Sequence, residues 1–205
     1  MESNTTIIYS ILCFVLTIIT ALVSYKLKLV DIPNNRKIHS KPVVHTGGLA
    51  ISIAYLFSLQ LFNNTNIDLN LIISISFLIT LLGFIDDSYQ LDTSSKLSLQ
   101  IIPIFYLIFI KGISLYTIGH YDYFNLELGI FSAPFTLLCV LFLINAFNYF
   151  DGIDGTLGFT TISVIINLYI LIPDNNIRFF LVIITIPIFI FLFFNFSFLI
   201  FLKCF

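Results

Sequence analysis

Residues 67–87 read IDLNLIISISFLITLLGFIDD, an apolar run from Ile67 to Phe84 that ends on two adjacent carboxylates, Asp86 and Asp87. Crossing the hydrocarbon of a bilayer takes about 20 mostly apolar residues in helical form. No water reaches that depth to satisfy backbone polar groups, so such a run must be a helix. Comparable runs occur at Thr6–Tyr25, Thr46–Phe62, Leu97–Ile110, Ile130–Phe147, Leu157–Ile172 and Phe179–Phe205, making seven in all. Leu97–Ile110 is short and contains Pro103, so its helix is expected to borrow residues from Thr93 or Lys111 at its ends. The expected fold is all-α: a polytopic membrane bundle of about seven transmembrane helices, forming a single membrane domain over residues 1–205.

Composition points the same way. The 205 residues are 59% hydrophobic and 10% charged, with 24 Phe and a mean hydropathy of +1.05. Soluble domains carry about 25% charged residues, and disordered chains pair low hydrophobicity with high net charge. Both classes are excluded. A net charge of −2 offers no basic footprint for nucleic acid. Cys13, Cys139 and Cys204 all sit in apolar runs without metal-ligand spacing and read as small packing residues.

Basic residues set the expected orientation. If the N-terminus is outside, the inner connections hold Lys26, Lys28, Arg36, Lys37, Lys41 and Lys96, and the outer ones hold Lys111 and Arg178. Six against two follows the positive-inside rule. The first run lacks a basic leader and is followed by Lys26 and Lys28, which favours a retained span over a cleaved signal. The longest outer connection, Lys111–Gly129, alternates polar and aromatic residues and is expected to form a small hairpin.

Three polar clusters then fall on one inner face. The first, DIPNNRKIHSKPVVHTGGLAI (residues 31–51), gathers Arg36, Lys37, His39, Lys41 and His45 ahead of Gly47–Gly48. Arg and Lys suit phosphate, although basic loops also serve topology alone. The second, GFIDDSYQLDTSSKLSLQ (residues 83–100), sets Asp86 beside Asp87 with Lys96 ten residues beyond the first acid. Adjacent carboxylates repel, so one is expected to have a raised pKa unless a cation or Lys neutralises the pair. Such a pair suits a magnesium site, an acid/base pair, or a solvated helix end. The third, NAFNYFDGIDG (residues 145–155), repeats Asn145, Asn148, Asp151 and Asp154 at three-residue steps, with Gly152 and Gly155 breaking the helix. Together these oxygen donors and bases match metal-assisted phosphoryl or phosphosugar transfer.

In this order and on one face, the three motifs resemble the polyprenyl-phosphate N-acetylhexosamine-1-phosphate transferases, members of glycosyltransferase family 4. The similarity runs from about residue 5 to about residue 198. The RKIH and HTGG elements look more like the branch using UDP-N-acetylglucosamine than the branch using UDP-N-acetylmuramoyl-pentapeptide. The resemblance implies transfer of N-acetylhexosamine 1-phosphate from a UDP-sugar to undecaprenyl phosphate with release of UMP. It further implies a bacterial inner membrane, a cytoplasmic active face, and a first step of cell-wall or surface-polysaccharide synthesis such as lipopolysaccharide O-antigen. The implied cofactor is Mg²⁺, or Mn²⁺ in its place. Carried over by position, Asp86 looks like the base toward the lipid phosphate, Asp87 supports it or the metal, and Lys96 pairs with phosphate. Asn148 matches a metal-binding amide. Asn145, Asp151, Gly152 and Asp154 match the substrate-facing stretch, and Arg36, Lys37 and His39 match a basic substrate loop.

Family members also carry later spans, a Gly-Asp-x-Gly-Ser motif whose Asp is a magnesium ligand, and a His/Arg-rich inner loop. This chain reads FFNFSFLIFLKCF over residues 193–205, with no Asp or Glu after Asp174. The expectation is a truncated member, by frameshift near residue 199 or as a fragment, weakly active or inactive and open to homo-oligomer formation. Two other classes compete. An ion transporter would place charges near mid-membrane and show inverted repeats, neither of which is visible. A non-catalytic membrane partner would tolerate loss of Asp86 or Asp87.

Overall fold

The computed structural model describes residues 2–27, 30–31, 43–44, 46–63, 66–89, 91–121, 124–150 and 155–195. The elements in order are α1 (Glu2–Lys26), β1 (Val30–Asp31), β2 (Val43–Val44), α2 (Gly47–Leu61), α3 (Ile67–Tyr89) and α4 (Thr93–Phe105). There follow β3 (Thr117–Tyr121), β4 (Phe124–Glu127), α5 (Ser132–Phe150), α6 (Thr156–Leu171) and α7 (Asn175–Asn195). The protein is a helical integral membrane protein. Among the described residues, five segments are long and apolar enough to cross a bilayer: Ser3–Lys26, Ile67–Tyr89, Thr93–Ile110, Gly129–Tyr149 and Asn175–Asn195. The other two apolar runs also fold as helices, but α2 and α6 have only 15 and 16 residues. At 1.5 Å per residue each falls short of the ~30 Å hydrocarbon thickness.

Helix ends differ from the apolar runs where caps intervene. α3 runs past Phe84 to Tyr89, so Asp86 and Asp87 ride on its last turns. The short fourth run gains its missing residues at the N-terminal side. Asp92 caps α4: one carboxylate oxygen accepts the Ser95 backbone N–H at 3.2 Å and the other accepts the Ser95 hydroxyl at 2.6 Å. Pro103 lacks an amide hydrogen, and after it the helix loosens into a π turn over Tyr106–Ile110, with the Lys111 N–H reaching the Tyr106 carbonyl at 3.2 Å. The polar-aromatic stretch between α4 and α5 forms the expected hairpin. A second, two-residue ladder pairs Val30 with Val44 and Asp31 with Val43. These small ladders qualify the all-α expectation, because connections outside the spans have no helical pattern to follow.

The fully exposed Asp92 carboxylate lies below the usual carboxylate range, first through the Ser95 hydroxyl and then through the Ser95 N–H. A depressed folded pKa means that the cap contributes fully above the ordinary carboxylate range and is lost as pH falls through the folded value. Protection of the Thr93–Lys96 amides, taken relative to their intrinsic base-catalysed exchange rates, should therefore fall on acidification, and in Asp92→Ala it should be low and independent of pH over that range. An Asp92→Ala protection profile that keeps the wild-type pH dependence would contradict this.

The chain divides into two compact units: residues Met1–Thr65 with Phe150–Phe205, and Asn66–Tyr149. The first unit packs α1, α2, α6 and α7. Lipid is as apolar as a protein core, so helices associate there through small residues and close backbone approach. Gly47, Ala50, Ala54 and Ser58 form a buried small stripe on α2, and α1 closes on it with the Tyr9 hydroxyl donating to the Ala54 carbonyl at 3.2 Å. Tyr55 reaches across to donate to the Ile184 carbonyl of α7 at 3.1 Å. At the turn between α6 and α7, Asp174 accepts the Asn176 N–H at 2.7 Å and Arg178 donates to the Ile172 carbonyl at 2.5 Å. Cys13 is buried and Cys139 half-buried, both as free thiols in apolar surroundings. Cys204 lies outside the described residues.

The second unit holds α3, α4, the β3–β4 hairpin and α5. Asn66 starts α3 by accepting the Leu69 N–H at 3.1 Å. α5 is tied back at two points. Near its end Asn145 donates to Gln100 of α4, and near its start the Thr136 hydroxyl accepts the Leu115 N–H of the connection that follows α4, at 2.9 Å. Those ties make α4 and α5 antiparallel, and they put the start of α4 and the end of α5 at the same level.

Candidate functional site

At that level of the second unit the C-terminal turns of α3 meet the first turns of α4. The Lys96 ammonium donates to Asp86 Oδ2 at 2.6 Å, with both side chains mostly enclosed (20% and 16% exposed). This is the fold-back that the ten-residue spacing allowed. Carboxylates at a helix C-terminus oppose its dipole by roughly 0.3–1 kcal/mol, so two acids on the last turns of α3 are held against a local cost. Lys96 offsets that cost for Asp86, while Asp87, next along the helix, is exposed. The Asp92 cap starts α4, and the Lys96 N–H bonds the Asp92 carbonyl at 3.0 Å, which fixes the turn from which the ammonium reaches back.

Gly83, one turn before Asp86, has open space where a side chain would sit. The space belongs to a crevice of ≈ 10 Å³ lined by Leu82, Gly83, Leu91, Lys96, Leu99 and Gln100, room for about one water molecule. Gln100 lies one turn beyond Lys96 on the same face of α4 and is 95% buried. Its side-chain oxygen accepts from Asn145 Nδ2 at 3.2 Å, and the same nitrogen donates to the Leu141 carbonyl at 2.8 Å. Both amide hydrogens of Asn145 are thus committed, so Asn145 meets a ligand through its oxygen, as an acceptor or a cation ligand. Asn148 is one turn farther toward the end of α5 and exposed. From Gln100 back to Lys96 is about 6 Å of axial rise, and from Asn145 on to Asn148 about 4.5 Å, in the same direction.

Of the residues singled out by sequence, Asp86, Asp87, Lys96, Asn145 and Asn148 therefore belong to one end of one compact unit. Arg36, Lys37, His39, Asp151, Gly152 and Asp154 lie outside the described residues. Gly155 ends that last stretch with a left-handed φ of +79° and opens α6, the helix break expected of it. Two participants were not anticipated. Gln100 carried a signal in its four-residue step from Lys96, and Asp92 carried one in the Asp-x-x-Ser cap pattern.

Among the described residues no three His, Cys, Asp or Glu side chains gather as a closed metal cage. The donors present are hard oxygens: the Asp87 carboxylate, the Asn148 amide and Asn145 Oδ1. Magnesium takes one or two carboxylates and completes its shell with water and substrate phosphates. The donor chemistry fits that ion held jointly with a phosphate. Among the described residues, a groove of ≈ 560 Å³ in the first unit is lined by apolar residues such as Ile165, Leu181 and Phe189 with Ser10, Tyr169 and Thr185. Its lining includes no carboxylate or base, so it adds nothing to this chemistry.

Comparison with known proteins bears on the same segments. Residues 69–202, from the first turn of α3 onward, match the family model for glycosyl transferase family 4. The chain is 31% identical over 166 residues to a probable undecaprenyl-phosphate N-acetylglucosaminyl 1-phosphate transferase of Bacillus subtilis (strain 168), covering 73% of this chain and 44% of that protein. It is 31% identical over 137 residues to the undecaprenyl-phosphate alpha-N-acetylglucosaminyl 1-phosphate transferase of Yersinia pestis, covering 66% of this chain and 38% of that protein. The protein of the same name from Escherichia coli (strain K12) is 30% identical over 138 residues, covering 66% and 37%. The chain thus spans less than half the length of these relatives.

Proposed function

The chain belongs to glycosyl transferase family 4, and on that footing we propose that it transfers N-acetylglucosamine 1-phosphate from UDP-N-acetylglucosamine to undecaprenyl phosphate, releasing UMP. The transferred group and the acceptor are those in the names of its relatives. The observation that carries the reading is the Lys96–Asp86 ion pair, with Asp87 beside it and the oxygen-presenting Asn145 on the antiparallel helix.

In the reaction an oxygen of the lipid phosphate attacks the sugar-bearing phosphorus of the donor. The bond from that phosphorus to the UMP oxygen breaks, and UMP leaves with the electron pair. Asp86 takes any proton left on the attacking phosphate, and Lys96 moves between Asp86 and phosphate oxygens as charge develops on them. Asn145, locked by Gln100, presents its carbonyl to a donor group of the substrate. Asp151, Gly152 and Asp154 face the nucleotide, and Arg36, Lys37 and His39 supply the basic loop. Asp87 and Asn148 would hold magnesium together with substrate phosphates, and the ion would supply neutralisation of phosphate charge. Positioning and charge neutralisation account for most of the catalysis in such transfers.

The same reading places the protein in a bacterial inner membrane with its N-terminus outside and the site on the cytoplasmic face. α2 and α6 complete seven crossings with the help of flanking residues. The six-to-two split of basic residues supports this orientation. The test uses membranes carrying this chain in a host lacking its own transferase, supplied with radiolabelled UDP-N-acetylglucosamine and undecaprenyl phosphate. Lipid-soluble label is expected with magnesium, matched by UMP release, and abolished by chelation. Folded chain that yields no labelled lipid with magnesium, or that labels equally without it, overturns the reading.

A further inference from the structure

At the end of the second unit remote from Asp86 and Lys96, the connection from α4 to α5 and the first residues of the span it enters expose a run of apolar side chains: Leu115, Tyr116, Ile118, Leu126, Ile130 and Phe131. Ile130 is 88% exposed, Phe131 67% and Tyr116 63%. We propose that this connection is a membrane-interface element, seated in the headgroup–acyl boundary with these side chains in the edge of the hydrocarbon, rather than a loop standing free in water.

Continuity with the membrane carries the proposal. The segment leaves one spanning stretch at Ile110 and enters the next at Gly129, so both of its ends lie at a bilayer surface. Its root is then clamped alongside the incoming helix. Ser132 of α5 donates to the Leu115 carbonyl at 2.6 Å and its hydroxyl oxygen accepts from the Ser114 hydroxyl at 2.9 Å, and the Thr136 hydroxyl accepts the Leu115 N–H. Thr136 lies four residues into α5, about 6 Å along its axis. Leu115 and Tyr116 are therefore held beside the helix turns that enter the bilayer and cannot lift away from its surface. The Leu128 N–H closes the hairpin by donating to the Tyr116 carbonyl at 2.9 Å, which brings Ile130 and Phe131 to the same level.

The register sorts polarity across the hairpin. Thr117 pairs with Glu127 while Gly119 pairs with Leu126, the ladder absorbing Ile118 as an irregularity between them. Cross-strand partners share a face and neighbours along a strand alternate, so Thr117 and Glu127 lie on one face with Asn125, and Leu126 on the other. Near the root, the Lys111 ammonium sits 5.6 Å from the Tyr106 ring centroid, a long cationic side chain just past the end of the spanning stretch. Tyrosine at that depth is the aromatic belt of membrane proteins.

The chain contains no Trp, so single substitutions give clean reporters. Leu126→Trp, Phe131→Trp, Tyr116→Trp and the polar-face control Asn125→Trp would each be reconstituted in phosphatidylcholine–phosphatidylglycerol vesicles. Quenching would be compared between lipids brominated near the glycerol and near the chain terminus, and aqueous iodide. The expected result is blue-shifted emission at 126, 131 and 116. Quenching there should be about twofold stronger from glycerol-end than from terminal bromines, as fits shallow interfacial burial, with Asn125→Trp responding to iodide instead. Iodide quenching of the three apolar reporters overturns the proposal. So does protection from both iodide and brominated lipid, which would place another polypeptide or a second copy of the chain on this surface. Three independent apolar reporters keep the test open should one variant fail to fold.

Discussion

Transfer by the Lys96→Met variant is expected to fall by about 10²- to 10³-fold, the scale seen when one preorganised charge partner of a developing oxyanion is removed. Two separate effects contribute. The ammonium 2.6 Å from Asp86 is lost as a phosphate partner, and Asp86 and Asp87 are left adjacent with that neutralising cation gone. Like charges that close repel each other and the anionic substrates. Removing one partner of a largely enclosed pair also costs stability, 3–5 kcal/mol for a fully buried pair and less here because water still reaches both side chains. Asp86→Asn combined with Lys96→Met removes both charges. That double variant should recover folding without recovering transfer, which separates catalysis from structure. Measuring transfer and thermal unfolding for the wild type and the two variants decides the matter. Wild-type transfer by Lys96→Met would exclude Lys96 from the role assigned to it.

Gly47→Ala is expected to destabilise the first unit by about 1–3 kcal/mol, the usual penalty for forcing a methyl into a filled core. A Cβ at Gly47 would land on the ring of Phe191, within contact of Cε2 and at 2.9 Å from Cδ2. Rings do not yield locally, so either α7 shifts or the ring leaves its rotamer. Gly158 makes the same kind of approach to the neighbouring residue of α7, with its Cβ position 2.6 Å from Leu192 Cδ2. There the obstacle is the tip of a flexible side chain, so Gly158→Ala should cost less than Gly47→Ala. Combining Gly47→Ala with Phe191→Leu should recover part of the loss, giving a favourable coupling in a double-mutant cycle. Thermal unfolding in detergent reads all of these. Wild-type stability for Gly47→Ala, or strictly additive losses in the pair, would show that the α2–α7 contact is not limiting.

The glycine result shows where sequence reading runs out. Gly47–Gly48 was legible as the opening of a span, but nothing along the chain says which ring would cover Gly47. In water, an apolar stripe marks the face that a helix buries. In lipid, both the buried and the exposed faces of a helix are apolar, and periodicity loses that power. α3 illustrates this, with Ile73 and Ile75 buried while Ile72 and Leu78 are exposed. The Asn145–Gln100 bond was hidden for the same reason, since it depends on how α4 and α5 are rotated against each other.

The sequence alone determined that this is a helical membrane protein whose Asp86, Asp87, Lys96, Asn145 and Asn148 sit near helix ends, together with the motifs that mark its family. Those properties follow from local, additive physics: the transfer of apolar side chains into hydrocarbon, the need of every buried amide for a partner, and the expense of placing charge at depth. The tertiary structure decided that Lys96 closes on Asp86, that Gln100 commits both hydrogens of Asn145 alongside Leu141, and that α2 and α6 are too short to cross as bare helices. It also decided that the α4–α5 connection is clamped down beside α5. These depend on the rotation and relative depth of neighbouring helices, which are set by packing and hydrogen bonding between segments far apart in sequence.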